Sequence, residues 1–159
     1  MTPTIRFAGP EDAATIHRFI VALAAYEREP DAVRVAPAAL RAQLASARPP
    51  FECLLAEVEG EAVGFALFFP TYSTWRGAAG IHLEDLFVAE PWRRRGIGRA
   101  LLRRLAALAV ARGAARLEFA VLDWNATARA FYRALGALPL DEWTTHRVDG
   151  PALAALAGE

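Results

Sequence analysis

Two short stretches of this sequence hold its most reactive combinations of side chains. One is Arg93-Arg94-Arg95-Gly96-Ile97-Gly98-Arg99, a basic run punctuated by glycine. The other, just upstream, is the acid pair Glu84-Asp85 inside the apolar run Leu83 to Val88. A basic, glycine-rich loop between a strand and a helix aims backbone N–H groups and the positive end of a helix dipole at one point, which suits a phosphate or pyrophosphate. It is not a Walker A loop, because no Gly-Lys-Ser/Thr follows. Nor is it the dinucleotide fingerprint, which needs a third glycine and a different spacing. Glu84 and Asp85 are neighbours in a strand, so their side chains are expected to face opposite sides of the sheet. An acid in an apolar strand is costly to bury unpaired. The pair is therefore either two structural ion pairs with the many arginines or the mark of a functional site.

The elements that must position these residues follow from local pattern. Thr4 to Phe7 alternates and reads as a first strand. Pro10-Glu11-Asp12 opens a helix, with proline and acids in the first turn. Ile16, Phe19, Ile20, Leu23 and Ala24 mark its buried face. Pro30 disfavours its continuation beyond Tyr26-Glu27. Residues 37–45 form a second, short helix. Residues 51–58 and 62–69 are strands joined by the turn Glu59-Gly60-Glu61. Residues 70–80 read as a loop holding Tyr72, Trp75 and Gly77. A strand over 81–88 leads into the glycine loop, and a helix runs from about Gly98 to Arg112, ended by Gly113. A strand over 116–122, a helix over 125–135, a strand over 143–148 and a helix over 151–157 complete the chain. The order predicts one mixed α/β domain over residues 1–159.

Composition narrows the function. A chain of 159 residues, 55% of them hydrophobic, can bury a sizeable core. Its 18 basic residues balance 18 acidic ones, which argues against a general nucleic-acid binder. Six arginines nevertheless fall between Arg93 and Arg104, a local patch suited to a small anion rather than a polymer. A single cysteine, Cys53, excludes an internal disulfide and fits a reducing compartment. There is no secretory leader pattern and no apolar run long enough to span a bilayer, so the expectation is a cytoplasmic protein. His17, His82 and His146 lack ligand partners at metal-binding spacing, so no metal is expected.

The ordered motifs resemble a known family. Arg93-x-x-Gly96-x-Gly98 after a strand, then Trp124-Asn125 and Phe131-Tyr132 in the next β-α unit, are similar to the GNAT N-acetyltransferase superfamily. Tyr26-Glu27, Gly64-Phe65-Ala66, Thr71-Tyr72-Ser73-Thr74-Trp75 and Leu83-Glu84-Asp85-Leu86-Phe87-Val88 extend the resemblance to its diamine (spermidine/spermine) N-acetyltransferase branch. Arg94-Arg95 is more basic than is usual in that branch, a change that keeps a phosphate loop basic.

The resemblance implies a central, mostly antiparallel sheet with a splayed strand pair, flanked by helices. It implies acetyl-CoA as the acyl donor, a small cationic amine as acceptor and a homodimer. Leu86, Phe87 and Val88 would bond the pantetheine arm through their backbone, and Arg93, Arg94, Arg95, Gly96, Ile97, Gly98 and Arg99 would hold the pyrophosphate. Asn125 would touch the same arm, although Asn is also a good helix N-cap. Acetyl transfer needs a neutral amine, a stabilised oxyanion and a proton for the leaving thiolate. Tyr132 would supply that proton; by position alone, a helical Phe131-Tyr132 pair reads as core aromatics, and it is the resemblance that favours the acid. Glu84 would be a base acting through water and Asp85 the partner of a substrate ammonium. Tyr26, Glu27 and Trp75 would shape the acceptor cleft, or simply end a helix and anchor a loop. The preferred acceptor on this reading is a polyamine or diamine. A lysine- or thialysine-like side-chain amine is the alternative, and a non-catalytic acyl-CoA-binding module a more distant one.

Overall fold

The apolar runs 53–56 and 63–68 are buried at every position, as in strands covered on both faces of a sheet. In a computed structural model that describes residues 2–158, β1 (Thr4–Phe7), β2 (Glu52–Val58), β3 (Glu61–Ser73) and β4 (Ala78–Val88) pair antiparallel in sequence order. A short β5 (Leu117–Glu118) adds parallel to β4. The β2–β3 connection is as tight as its sequence suggests: Glu59 and Gly60 both have positive φ, as a primed hairpin turn requires. One face of the sheet is covered by α1 (Ala13–Tyr26) and α2 (Pro37–Ala45). There Ile16, Phe19, Leu23 and Leu40 pack with Cys53, Leu55, Phe65, Leu67 and Phe87. The opposite face takes α3 (Ile97–Ala111), whose Ile97, Leu101 and Leu105 are fully buried, as are Leu54, Ala66 and Phe68 at the alternate strand positions. Each such Leu or Phe contributes roughly 1.5–3 kcal/mol of burial.

Three expectations need correction. Residues 70–80 are not a loop: β3 and β4 run on through them, pairing as far as Ser73 with Ala78. Pro70 fits because β2 has already ended at Glu52, opposite Phe68, so β3 there has an open edge on which a missing N–H need not break a ladder bond. The strand expected over 116–122 is only two residues long. Beyond His82, no strand pairs with the outer edge of β4 among the described residues. Finally, residues 143–148 form no strand. Their β-branched residues suit one, but a strand needs a partner edge, and these residues are exposed instead.

The chain divides into two compact units, Met1–Ala120 and Val121–Glu159. The first contains everything above. The second contains α4 (Ala126–Ala134) and α5 (Gly150–Ala157). It carries large apolar side chains open to solvent, among them Leu138, Trp143 and Leu156.

Candidate active site

The decisive local feature is a β-bulge. Along the β3–β4 ladder Leu67 opposes Asp85 and Phe68 opposes Leu83, so Glu84 is an extra residue with no partner on β3. The extra residue resets the alternation. His82 opposes Phe69 and Asp85 opposes Leu67, two residues apart on β3, so the bulge brings Asp85 to the face of His82, where Glu84 also lies with its Oε2 3.2 Å from His82 Nε2. This corrects the expectation that Glu84 and Asp85 face opposite sides. Period-two alternation holds only for a regular strand, and the bulge breaks it between these two acids.

Glu27, which ends α1, completes an acidic cluster with them. Burial pushes the Asp85 carboxyl up to about 6, and the negative charges of Glu84 and Glu27 push it the same way. Glu27 is raised too, by burial first and then by Glu84. Asp85 and Glu27, each raised by the charge of Glu84, form a site in want of a cation. An ammonium placed among them would remove the repulsion that now opposes their ionisation.

Of the other acceptor candidates, Tyr26 precedes Glu27 at the end of α1 and is partly exposed. Trp75 is 90% exposed at the tip of the β3–β4 hairpin. Seven residues of strand separate Ala78 from Asp85, about 20 Å at the usual rise. Within one chain the hairpin does not bring Trp75 to the acids.

The glycine loop has the backbone of an anion site. Gly96 caps α3 in the left-handed region, φ 80°, and Arg94 is left-handed as well, φ 59°. A non-glycine residue in that conformation is strained by roughly 1–2 kcal/mol, and such strain gathers at functional turns. The first backbone bond of the helix runs from Ala100 N–H to Gly96 O. The N–H groups of Ile97, Gly98 and Arg99 precede it, so the helix itself offers them no acceptor. A Cβ on Gly96 would meet nothing in the chain within 4 Å, which leaves space for a bound group to approach the backbone there. These features fit a pyrophosphate.

The arginines of the loop do not act alike. Arg94 and Arg99 are exposed, and Arg95 lies over the Trp92 ring at 5.1 Å. Arg93 turns away from the loop. Its Nε donates to Val88 O at 2.9 Å, and its guanidinium stacks on Tyr26 and Phe87 at 4.9 and 5.3 Å. Arg93 thus clamps the end of α1 to the end of β4. Leu86, Phe87 and Val88 lie on the stretch of β4 that β5 leaves unpaired, while the Phe87 ring serves the core against Phe19.

In the second unit, Asn125 is buried and caps α4, its Oδ1 accepting from Ala128 N–H at 3.1 Å. Tyr132 lies on the same helix, half-buried beside the Phe131 ring. Sequence reasoning passed over two residues that the first unit engages. His82 was weighed only as a metal ligand, and Arg6 not at all, although it holds both Asp12 and Glu57 at 2.8 Å. His82 and Glu84 are neighbours on one face of β4, whereas Arg6 and Glu57 lie 51 residues apart and are joined by the β1–β2 register. Among the described residues no cluster of three or more His, Cys, Asp or Glu could hold a metal ion, and no helix is long and apolar enough to cross a membrane.

Comparison with known proteins agrees with this geometry. Thialysine N-epsilon-acetyltransferase of Bos taurus is 40% identical, with 98% of this chain and 97% of that protein covered. The spermidine/spermine N(1)-acetyltransferase-like protein 1 of Homo sapiens is 33% identical across 98% of this chain and 24% of its own length. An integron cassette protein from the mobile metagenome of V. cholerae shares the fold, with a TM-score of 0.83 at 24% identity over 100% of this chain and 99% of that one. Residues 15–137 match the Acetyltransferase (GNAT) family. A chain with an acidic, bulged strand and a glycine-capped helix after it thus belongs to the GNAT acetyltransferases and is an acetyl-CoA-dependent N-acetyltransferase.

Proposed function

We propose that the enzyme acetylates the terminal primary amine of a small molecule that carries a second ammonium nearby. A thialysine- or lysine-like diamino acid is the leading acceptor and a polyamine or diamine the second. The observation that carries this reading is the cluster of Glu27, Glu84 and Asp85, in which acids meet acids. The 40% identical thialysine enzyme moves the weight from the polyamine to the amino acid. The spermidine/spermine relative keeps the polyamine in play.

Acetyl-CoA supplies the activated acetyl group. Backbone N–H groups of Ile97, Gly98 and Arg99, with Arg94, Arg95 and Gly96, bind its pyrophosphate, and the open edge at Leu86 to Val88 lies along its arm. Asn125 holds the start of α4. Asp85 and Glu27 bind the spectator ammonium. Glu84 takes a proton from the attacking amine through water, and Tyr132 gives one to the departing sulfur. Cys53 takes no part: burial raises its thiol far out of the range of thiolate chemistry, which favours direct transfer without an acyl-enzyme. Residues 1–159 act as one cytoplasmic catalytic domain in a homodimer, with exposed apolar residues of the second unit such as Leu138 and Trp143 covered by the second copy. Trp75 reaches the acceptor cleft from that copy. Neither nucleic acid nor membrane is a partner.

An amine panel tests this reading. Thialysine, lysine, spermidine, putrescine and butylamine are each offered with acetyl-CoA, and free thiol is followed. The doubly cationic amines are expected to react far ahead of butylamine. Equal turnover of butylamine would remove the case for a second ammonium.

A further inference from the structure

His82 has no part in the roles assigned above, yet it touches one of their principal residues. It stands on β4, and its ring lies against Phe69 at 5.0 Å between centroids, nearly parallel. That contact fixes the plane of the imidazole. Its Nε2 lies 3.2 Å from Glu84 Oε2. An ionised carboxylate can only accept, so Nε2 must carry the proton whether the ring is neutral or charged. Other charged groups stand close by. Glu118, the register partner of His82 on β5, is taken by Arg116. Asp85 and Glu27 are acids that bear on each other and on Glu84. Glu84 itself is more than half exposed and sits at a bulge, where the ladder on its own strand does not fix it.

We infer that His82 is a positioning residue that holds the Glu84 carboxylate in the orientation needed to take the amine proton. The Phe69 ring sets the imidazole, the imidazole sets the carboxylate, and the two-residue spacing of His82 and Glu84 puts both on one face of β4. His82 takes up no proton in the reaction; it donates one hydrogen bond throughout. This rests on the reading of Glu84 as the base, so the test must separate the two.

The test is a kinetic cycle on the full-length enzyme with its best amine. His82→Phe keeps a ring on Phe69 and removes the donor. His82→Gln places an amide N–H near the position of Nε2. Glu84→Gln removes the base, and the double variant His82→Phe/Glu84→Gln closes the cycle. His82→Phe should lower kcat roughly tenfold, a fraction of the ~10²-fold that a positioned base contributes, with the acetyl-CoA KM and Tm unchanged. His82→Gln should restore most of the loss. In the Glu84→Gln background, His82→Phe should cost nothing further. Full activity in His82→Phe, with Glu84→Gln impaired, would overturn the positioning role and leave the base standing. Full activity in Glu84→Gln would remove the base, and the positioning role with it. Equal losses in His82→Phe and His82→Gln, with a lower Tm, would make His82 a packing residue and overturn the inference.

Discussion

The first unit holds two groups of clustered acids, and their opposite treatment separates architecture from chemistry. In one group, Arg6 reaches Asp12 through both terminal nitrogens and Glu57 besides, at 2.8 Å each. The guanidinium holds the Asp12 carboxyl below its usual range, helped by the Gly9 N–H. The knot ties β1 to β2 and to the start of α1. In the other group, the charges that bear on Asp85 are those of Glu84 and Glu27, and its carboxyl is pushed up to about 6. The chain has 18 arginines, so a cation for Asp85 was available to it. Acids that serve the fold are neutralised within it. Acids left to repel one another are kept for a ligand that brings the missing charge.

If that division is right, damage to one set should spare the function of the other. The largest effect is expected at the proposed proton donor. Tyr132→Phe should lower kcat by ~10²-fold with little change in Tm, as expected for a group that only moves a proton. Turnover at the wild-type rate would pass that role to water or another side chain. Next comes Gly96→Val. It forces a β-branched residue into a left-handed backbone and crowds the proposed anion site, so the acetyl-CoA Kd by calorimetry should rise about tenfold, the equivalent of one charge-assisted hydrogen bond.

Asp12→Asn should do the reverse. It should cost about 2 kcal/mol, lowering Tm by roughly 4–8 °C, with kcat and both KM values preserved in the folded fraction. An altered amine KM in this variant would blur the distinction between the two groups.

The smallest effects lie in pH dependence, where the two aspartates have opposite signs. The Asp12 carboxyl is depressed in the fold, so its stabilisation is present at neutral pH and is lost as pH falls through the folded value. Asp85 is raised to about 6, so the folded state holds its proton more tightly than the unfolded chain does. Its contribution favours folding in acid and fades as pH rises through 6, by roughly 3 kcal/mol at most. Subtracting the Tm-against-pH curve of Asp85→Asn from that of the wild type should isolate this slope between about pH 4 and 7.

Much of the scaffold could be read from local signals. Glu59-Gly60 marks its own turn, Pro10 opens a helix end, and Gly96 with the apolar spacing of Leu101 and Leu105 marks the start and buried face of α3. Each of these is decided within a few residues. The acidic cluster was legible as residue types but not as geometry. Leu83-Glu84-Asp85-Leu86 looks the same whether the strand is regular or bulged, and the bulge is set by the pairing with Leu67 and Phe68 on β3. The same limit explains Arg93, which looks like one more loop arginine until α1 brings Tyr26 beneath it. It also explains residues 143–148, whose β-branched residues promise a strand without showing that no edge awaits it.

Asp85→Asn tests the central claim most directly, because two of its measurable effects should move in opposite senses. Removing a half-buried charge that is repelled by Glu84 and Glu27 should raise the Tm of the free enzyme at pH 7 by a few degrees. Removing the partner of the substrate ammonium should raise the amine KM by roughly one to two orders of magnitude, while the acetyl-CoA KM stays where it was. A more stable enzyme that binds its amine poorly is the predicted result. A lower Tm with an unchanged amine KM would contradict the account and return Asp85 to the structural acids alongside Asp12.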